Sequence, residues 1–254
     1  MTTPLFGAYF QCYKNPFATY KVLESFRKFY PSCSIVLCSD NGYDYTKMAE
    51  YFNCIYYHRA KNMWLIYEDC AEIDKGANGN HIPWAKELLQ HMKTVFSLVK
   101  EDYILWLEDD LGINHMLLDP FSNDINGFNP NKFTEDIKKA LSIHYPHIDP
   151  FSTYTWSGGG GSIFNKHTML DCLNNETIIN DILIHWRGYN LTSNIVCDYL
   201  LSLLVLLNKG TIGPLNGVRD GPRDYIDMSI TIQHQYKHYY GYDMPNELSY
   251  LVNK

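Results

Sequence analysis

Three consecutive carboxylates, Glu108, Asp109 and Asp110, close the apolar run Tyr103-Ile-Leu-Trp-Leu107. Acids packed this closely repel one another unless a cation is shared between them. Mg²⁺ and Mn²⁺ suit the task, because both prefer hard oxygen ligands and leave positions open for substrate phosphates and water. A solvated acidic turn after a strand has the same composition, and the strongly apolar run in front of these acids favours a built site over that alternative.

Further residues of chemical interest follow along the chain. Tyr154-Thr-Trp-Ser-Gly-Gly-Gly-Gly-Ser162 places four glycines in succession, including Gly159 and Gly160. Such a run costs backbone entropy, and it marks either a flexible loop or a place where the chain must pass close to a ligand. Asp198 opens a strongly apolar helical stretch, where an acid in the first turn complements the positive end of the helix dipole. His234 and His238 lie four apart with Lys237 between them, without the HExxH frame or cysteine set of a zinc site. In Ser229-Ile-Thr-Ile-Gln-His234 the apolar residues alternate as in a strand, so His234 is the better placed of the two histidines. Asp40 stands in Cys38-Ser-Asp-Asn-Gly42, which is also an ordinary turn sequence. Arg59, Arg219 and Arg223 are candidate phosphate contacts.

The first half must position most of these residues, and it alternates short apolar runs with helical patterns. Strands are expected at Leu5 to Phe10, Ser34 to Cys38, Cys54 to Tyr57 and Tyr103 to Leu107. Helices are expected at Ala18 to Phe29, Tyr45 to Phe52 and Pro83 to Val99, the last with Trp84, Leu88, Val95 and Val99 on one stripe and Pro83 as its first residue. A mostly parallel sheet flanked by helices then brings the loops at Gln11 to Lys14, Ser39 to Gly42, His58 to Lys61 and Glu108 to Asp110 to one edge, where open α/β sheets place their ligands. The second half is less regular, with a helix expected from Phe133 to Leu141.

Of 254 residues, 46% are apolar and 15% aromatic, ample for a packed core, and the net charge of −7 argues against nucleic acid as the main partner. The seven cysteines form no CxxC pair and suit a reducing compartment. The N-terminal residues lack a leader pattern, and the longest apolar run, Tyr199 to Leu207, is too short to span a bilayer. A cytoplasmic protein without an anchor of its own is expected.

The strand ending in Glu108-Asp109-Asp110, about a hundred residues into an α/β chain, resembles the DxD motif of GT-A glycosyltransferases. The resemblance implies a single GT-A-like domain over residues 1–254, with a nucleotide-binding half at 1–112 and an acceptor-side half at 113–254. It implies Mn²⁺ or Mg²⁺ on Asp110, with Glu108 at the motif's first position and His234 as a late ligand. Gln11, Tyr13, Asp40, Arg59, Glu108 and Asp109 are implied to meet the nucleotide-sugar donor, UDP-sugar favoured. Gly159 and Gly160 are implied to line the sugar pocket, Lys237 to meet a phosphate, and Asp198 to act as base toward a glycan or glycoprotein hydroxyl, with inversion slightly favoured over retention. Two rival readings are a sugar nucleotidyltransferase, which would carry a basic glycine-rich loop after the first strand, and a non-catalytic carbohydrate-binding protein, which would suit the 21 tyrosines and 5 tryptophans.

Overall fold

The computed structural model describes residues 6–60, 81–118, 121–127, 131–157, 159–191, 197–234 and 243–253. The chain opens with β1 (Phe6–Cys12), α1 (Pro16–Phe29), β2 (Ile35–Asp40), α2 (Thr46–Tyr51), β3 (Ile55–Arg59), α3 (His81–Leu98) and β4 (Tyr103–Leu107). There follow β5 (Gly112–Ile113), β6 (Ile125–Gly127), β7 (Asn131–Lys132), α4 (Glu135–Ser142), β8 (Thr155–Trp156) and β9 (Ile163–Asn165). The remaining elements are α5 (Lys166–Asn174), α6 (Glu176–His185), α7 (Cys197–Leu207), β10 (Ile212–Pro214), β11 (Val218–Asp220), β12 (Ile232–His234) and a 3₁₀ turn at Asn246–Leu251.

The architecture is mixed α/β with a mostly parallel central sheet. Seven strands are ordered β10-β6-β9-β4-β1-β2-β3, and only β9 runs antiparallel to its neighbours β4 and β6. Side chains alternate across the sheet and separate two cores. Tyr9, Val36, Cys38, Ile104 and Trp106 face the core that α3, α5, α6 and α7 cover. Ala8, Phe10, Ile35, Leu37, Leu105 and Leu107 face the core closed by α1, whose Val22, Leu23 and Phe26 form the buried stripe. Both faces of these strands are therefore dry, which is why they read as continuous apolar runs.

The expected strands exist, but three of the four extend further in the carboxyl direction than their apolar runs. Gln11, Asp40 and Arg59 are the last or next-to-last residues of strands and not loop residues, because parallel pairing continues through Gln11↔Cys38, Cys12↔Ser39 and Asp40↔Arg59. Hydrogen-bonded pairing does not require an apolar side chain, so the polar ends of these strands are invisible to an apolar count. Pro83 is the third residue of α3, not its first, since the helix begins at His81.

Two smaller sheets complete the second half. β7 and β8 pair antiparallel, and β12 lies between β11, to which it is parallel, and β5, to which it is antiparallel. Helix α7 is buried along almost its whole length. Among the described residues no helix is long and apolar enough to cross a membrane.

Candidate functional site

Because β1, β2, β3 and β4 are mutually parallel, their carboxyl ends share one edge of the sheet. A cavity of about 230 Å³ opens there, lined by Gln11, Cys12, Tyr13, Asp40, Glu108, Asp109 and Asp110. Its back wall is tied together by a chain of hydrogen bonds. Tyr9 Oη donates to Gln11 Oε1 at 2.9 Å, Gln11 Nε2 donates to Asp40 Oδ2 at 3.0 Å, and His91 Nε2 lies 2.9 Å from Tyr9 Oη. Arg59 Nε stands 3.7 Å from Asp40 Oδ1, so this guanidinium is held against the buried Asp40 carboxylate. Burial, with the Arg59 charge adding to it, pushes the His91 imidazole down to about 3, and the ring is neutral at ordinary pH.

The turn after β2 packs against Tyr13, which lines the cavity. Asn41 adopts a left-handed φ of 54°, which asparagine tolerates better than most residues. Gly42 is required by contact: a Cβ there would lie 1.8 Å from the Tyr13 carbonyl oxygen. That oxygen accepts from the Tyr43 amide and the Tyr45 hydroxyl, both at 3.0 Å. Tyr13 is thus held by backbone contacts and its ring remains half-buried at the cavity mouth.

Glu108 and Asp110 meet His234 in front of the cavity. One ligating atom from each of the three lies within 4.8 Å of the others. His234 Nε2 is 3.6 Å from Glu108 Oε2 and 3.9 Å from Asp110 Oδ1, while Nδ1 is 2.9 Å from Asp220 Oδ1. Burial alone would depress this imidazole, but the Glu108, Asp110 and Asp220 carboxylates outweigh burial and lift it to about 9. The cluster holds a positive charge tightly, and its two oxygens and one nitrogen are a donor set suited to Mn²⁺ and acceptable to Mg²⁺.

The glycine segment is wedged between these acids and a further one. Gly159 has a φ of 75°, and a Cβ there would lie 3.2 Å from Asp198 Oδ1; a Cβ on Gly160 would lie 2.6 Å from Glu108 Oε2. The Gly161 amide donates to the Trp106 carbonyl at 2.8 Å, tying the turn to the end of β4. A side chain at either position would displace an acid, which gives these glycines a steric reason beyond flexibility. Burial, with the Glu108 charge adding to it and His234 opposing, raises the Asp198 carboxyl to about 6.

Ten of the sequence-derived site residues therefore converge: Gln11, Tyr13, Asp40, Glu108, Asp109, Asp110, Gly159, Gly160, Asp198 and His234, with Arg59 on the back wall. Lys237 and His238 lie outside the described residues. Arg219 donates to Ser229 Oγ at 3.2 Å, on the opposite side of its strand from Asp220. Three residues were missed by the sequence reading, namely Tyr9, His91 and Asp220. His91 carried a signal, since it falls on the α3 stripe between Leu88 and Val95; Asp220 carried none.

No protein-family model and no curated protein matches the chain. Solved structures with a similar backbone include the following three. The apo form of glycosyltransferase GlyE from Streptococcus pneumoniae TIGR4 is 12% identical with a TM-score of 0.47, over 92% of this chain and 55% of that one. Galactosyltransferase LgtC in complex with donor and acceptor sugar analogs is 14% identical with a TM-score of 0.46, over 92% and 88%. An active-site mutant of LgtC is 12% identical with a TM-score of 0.47, over 90% and 86%. The chain thus spans about half the length of GlyE. Identities and TM-scores this low leave the function to be read from the site itself.

Proposed function

We propose that the protein is a divalent-cation-dependent glycosyltransferase of GT-A-like, single-domain organisation, moving a sugar from a nucleoside-diphosphate sugar to a hydroxyl acceptor. One observation carries the reading: Glu108, Asp110 and His234 gather their ligating atoms within 4.8 Å beside a cavity that Asp40 and Gln11 also line. An acid-lined cavity of this kind repels a diphosphate unless a cation stands between them, so the same residues that make a cation site also make cation-dependent donor binding.

Each residue then has a part. Asp110, Glu108 and His234 would hold Mn²⁺ or Mg²⁺, which supplies Lewis-acid stabilisation to a departing diphosphate. Gln11, Tyr13 and Asp40 form the wall that takes the nucleoside, with UDP favoured, and Arg59 orients Asp40. Gly159 and Gly160 leave room for the donor sugar between Asp198 and Glu108. Asp198, with a carboxyl raised toward neutrality, accepts the proton of the attacking hydroxyl, and a single displacement inverts the anomeric carbon. The acceptor is a glycan or glycoprotein hydroxyl met by the second half of the chain, residues 113–254. The six described cysteines are free, which supports a reducing, cytoplasmic setting.

The test is a screen of nucleoside-diphosphate sugars for Mn²⁺-dependent binding and slow donor hydrolysis, which needs no knowledge of the acceptor. Hydrolysis of one donor, lost on chelation, is expected. Formation of a nucleotide sugar from a nucleoside triphosphate and a sugar phosphate would replace the reading with a nucleotidyltransferase, and sugar binding indifferent to cation and nucleotide would replace it with a carbohydrate-binding protein. With an acceptor in hand, the anomeric coupling constant of the product decides the stereochemistry. Retention would remove Asp198 from the role of base and leave it as a ligand of the donor sugar.

A further inference from the structure

We propose that Asp220 is a positioning residue for the cation site, fixing the His234 ring so that Nε2 is the nitrogen presented alongside Glu108 and Asp110. The inference rests on the cation reading above and adds to it a residue with no place in the DxD motif.

The pair is imposed by strand register. β11 and β12 run parallel with Asp220 directly beside His234, and Asp220 Oδ1 lies 2.9 Å from Nδ1. A ring held through Nδ1 by a carboxylate has its tautomer and rotation decided: Nδ1 carries a proton toward the acid and Nε2 is left for the cation. Asp220 is on the ring nitrogen opposite the one facing Glu108 and Asp110, so it acts through His234 and not as a ligand while it keeps this bond.

The surrounding sheet keeps the pair in place. Gln233, fully buried, donates to the carbonyls of Pro222 and Tyr225 at 2.5 and 2.9 Å and accepts from the Asp227 amide at 2.8 Å, which pins the loop after Asp220 onto β12. On its other edge β12 pairs with β5, where Gln233 is opposite Gly112, two residues past Asp110. His234 therefore stands at a fixed offset from the acids on one side and from Asp220 on the other. The Asp220 side chain is 45% exposed against 12% for His234, so truncating the acid leaves no buried gap and its loss is read in the site, not in the fold.

The experiment is an EPR titration of Mn²⁺ on the full chain, with and without UDP, for the parent, Asp220→Ala, Asp220→Asn, His234→Ala, the Asp220→Ala/His234→Ala double variant and Asp110→Asn. Asp220→Ala is expected to weaken Mn²⁺ binding ~10–100-fold, the usual cost of losing an outer partner of a ligating histidine. The isosteric Asp220→Asn is expected to fall between parent and Ala, and it keeps the test open should the Ala variant fail to fold. The deciding readout is non-additivity: in the His234→Ala background, Asp220→Ala should cost nothing further. Parent-like affinity in Asp220→Ala, or an equal loss with and without His234, overturns the proposal. If Asp110→Asn loses the cation while Asp220→Ala keeps it, the positioning role falls alone; if Asp110→Asn binds Mn²⁺ like the parent, the cation reading falls and this inference with it.

Discussion

The strands of the seven-stranded sheet that bring Gln11, Asp40 and Glu108 to the site run five to seven residues, and most of their side chains are buried. Those that bring Asp220 and His234 run three residues each and put one apolar side chain each, Val218 and Ile232, into the core; beyond these and the backbone pairing, polar side chains tie the surrounding loops to them. Asn114 donates to the carbonyls of Asp227 and Ile230, and Gln233 to those of Pro222 and Tyr225. Fully burying a large apolar side chain is worth ~1.5–3 kcal/mol, whereas a net hydrogen bond is worth about 1. The wall proposed for the nucleotide, like the strand end that carries Glu108 and Asp110, is thus over-determined by packing, whereas the short strands that bring His234 and Asp220 to the proposed cation site lean more on polar contacts. Substitutions should damage the two regions in different currencies, stability on one side and ligand geometry on the other.

The largest expected effect is that of Asp110→Asn in the proposed cation site. It removes a charged group proposed as a ligand, so Mn²⁺-dependent turnover should fall by more than the ~10–100-fold that an outer partner costs, with the melting temperature roughly unchanged. Parent-like turnover in the presence of Mn²⁺ would sink the cation assignment. Asp198→Asn comes next. It should lower transfer by ~10²-fold or more while donor affinity and Mn²⁺ affinity stay near the parent values, as for loss of a general base. A collapse of donor binding in isothermal titration would instead assign Asp198 to the donor sugar.

Two glycines then test the contrast directly. In Gly42→Ala the new Cβ would meet the Tyr13 carbonyl at 1.8 Å, a backbone atom that also accepts two hydrogen bonds. The expected result is a destabilisation of ~1–3 kcal/mol in urea unfolding, the range for overpacking. In Gly160→Ala the Cβ would meet Glu108 Oε2, Cδ and Cγ at 2.6, 2.7 and 2.9 Å, atoms of a side chain that can shift where the Tyr13 backbone cannot, at the expense of its contact with His234. Stability should hardly change, but a displaced ligand should cost up to ~10²-fold in turnover. If Gly160→Ala unfolds the protein and Gly42→Ala only slows it, the division of labour between the two regions is wrong.

The same division explains what could be read from the residues alone. β4 was legible to both ends, because Tyr103 to Leu107 is apolar throughout and three acids stop it. Asp40 and Gln11 were legible as strand-end residues, though placed in loops, since polar strand ends leave no mark in an apolar pattern. His234 was legible as the end of an alternating run. Asp220 was not, because Arg219-Asp-Gly-Pro-Arg-Asp224 reads as a turn and the strand it ends is defined only by its partner fourteen residues away. Tyr9 and His91 were hidden differently: both sit on apolar faces, where a polar tip finds its partner only after the sheet and α3 have packed.

The smallest expected effect concerns that hidden pair and lies behind the wall proposed for the nucleotide. His91 has a folded pKa near 3 against 6.5 for a free imidazole. Between those values the unfolded chain binds the proton and the folded protein does not, so this histidine removes stability as pH falls from about 6.5 and has no effect above it. Asp198 works in the opposite sense, because a carboxyl raised to about 6 takes up a proton in the folded state and adds stability as pH falls through the same window. The parent's curve therefore mixes the two, and the informative quantity is the difference between the parent and His91→Gln, whose amide can still donate toward Tyr9. At pH 8 the variant should be the less stable, having lost ring packing against Tyr9 and Tyr57. Below pH 6.5 the gap should close by about 1 kcal/mol per pH unit, the linkage slope of one proton. Mn²⁺ affinity should stay at the parent value throughout, since Tyr9 and Gln11 stand between His91 and the cavity. A gap constant from pH 8 to 5 would mean that His91 protonates as readily in the folded protein as in the unfolded chain, and the dry, hydrogen-bonded back wall would have to be abandoned.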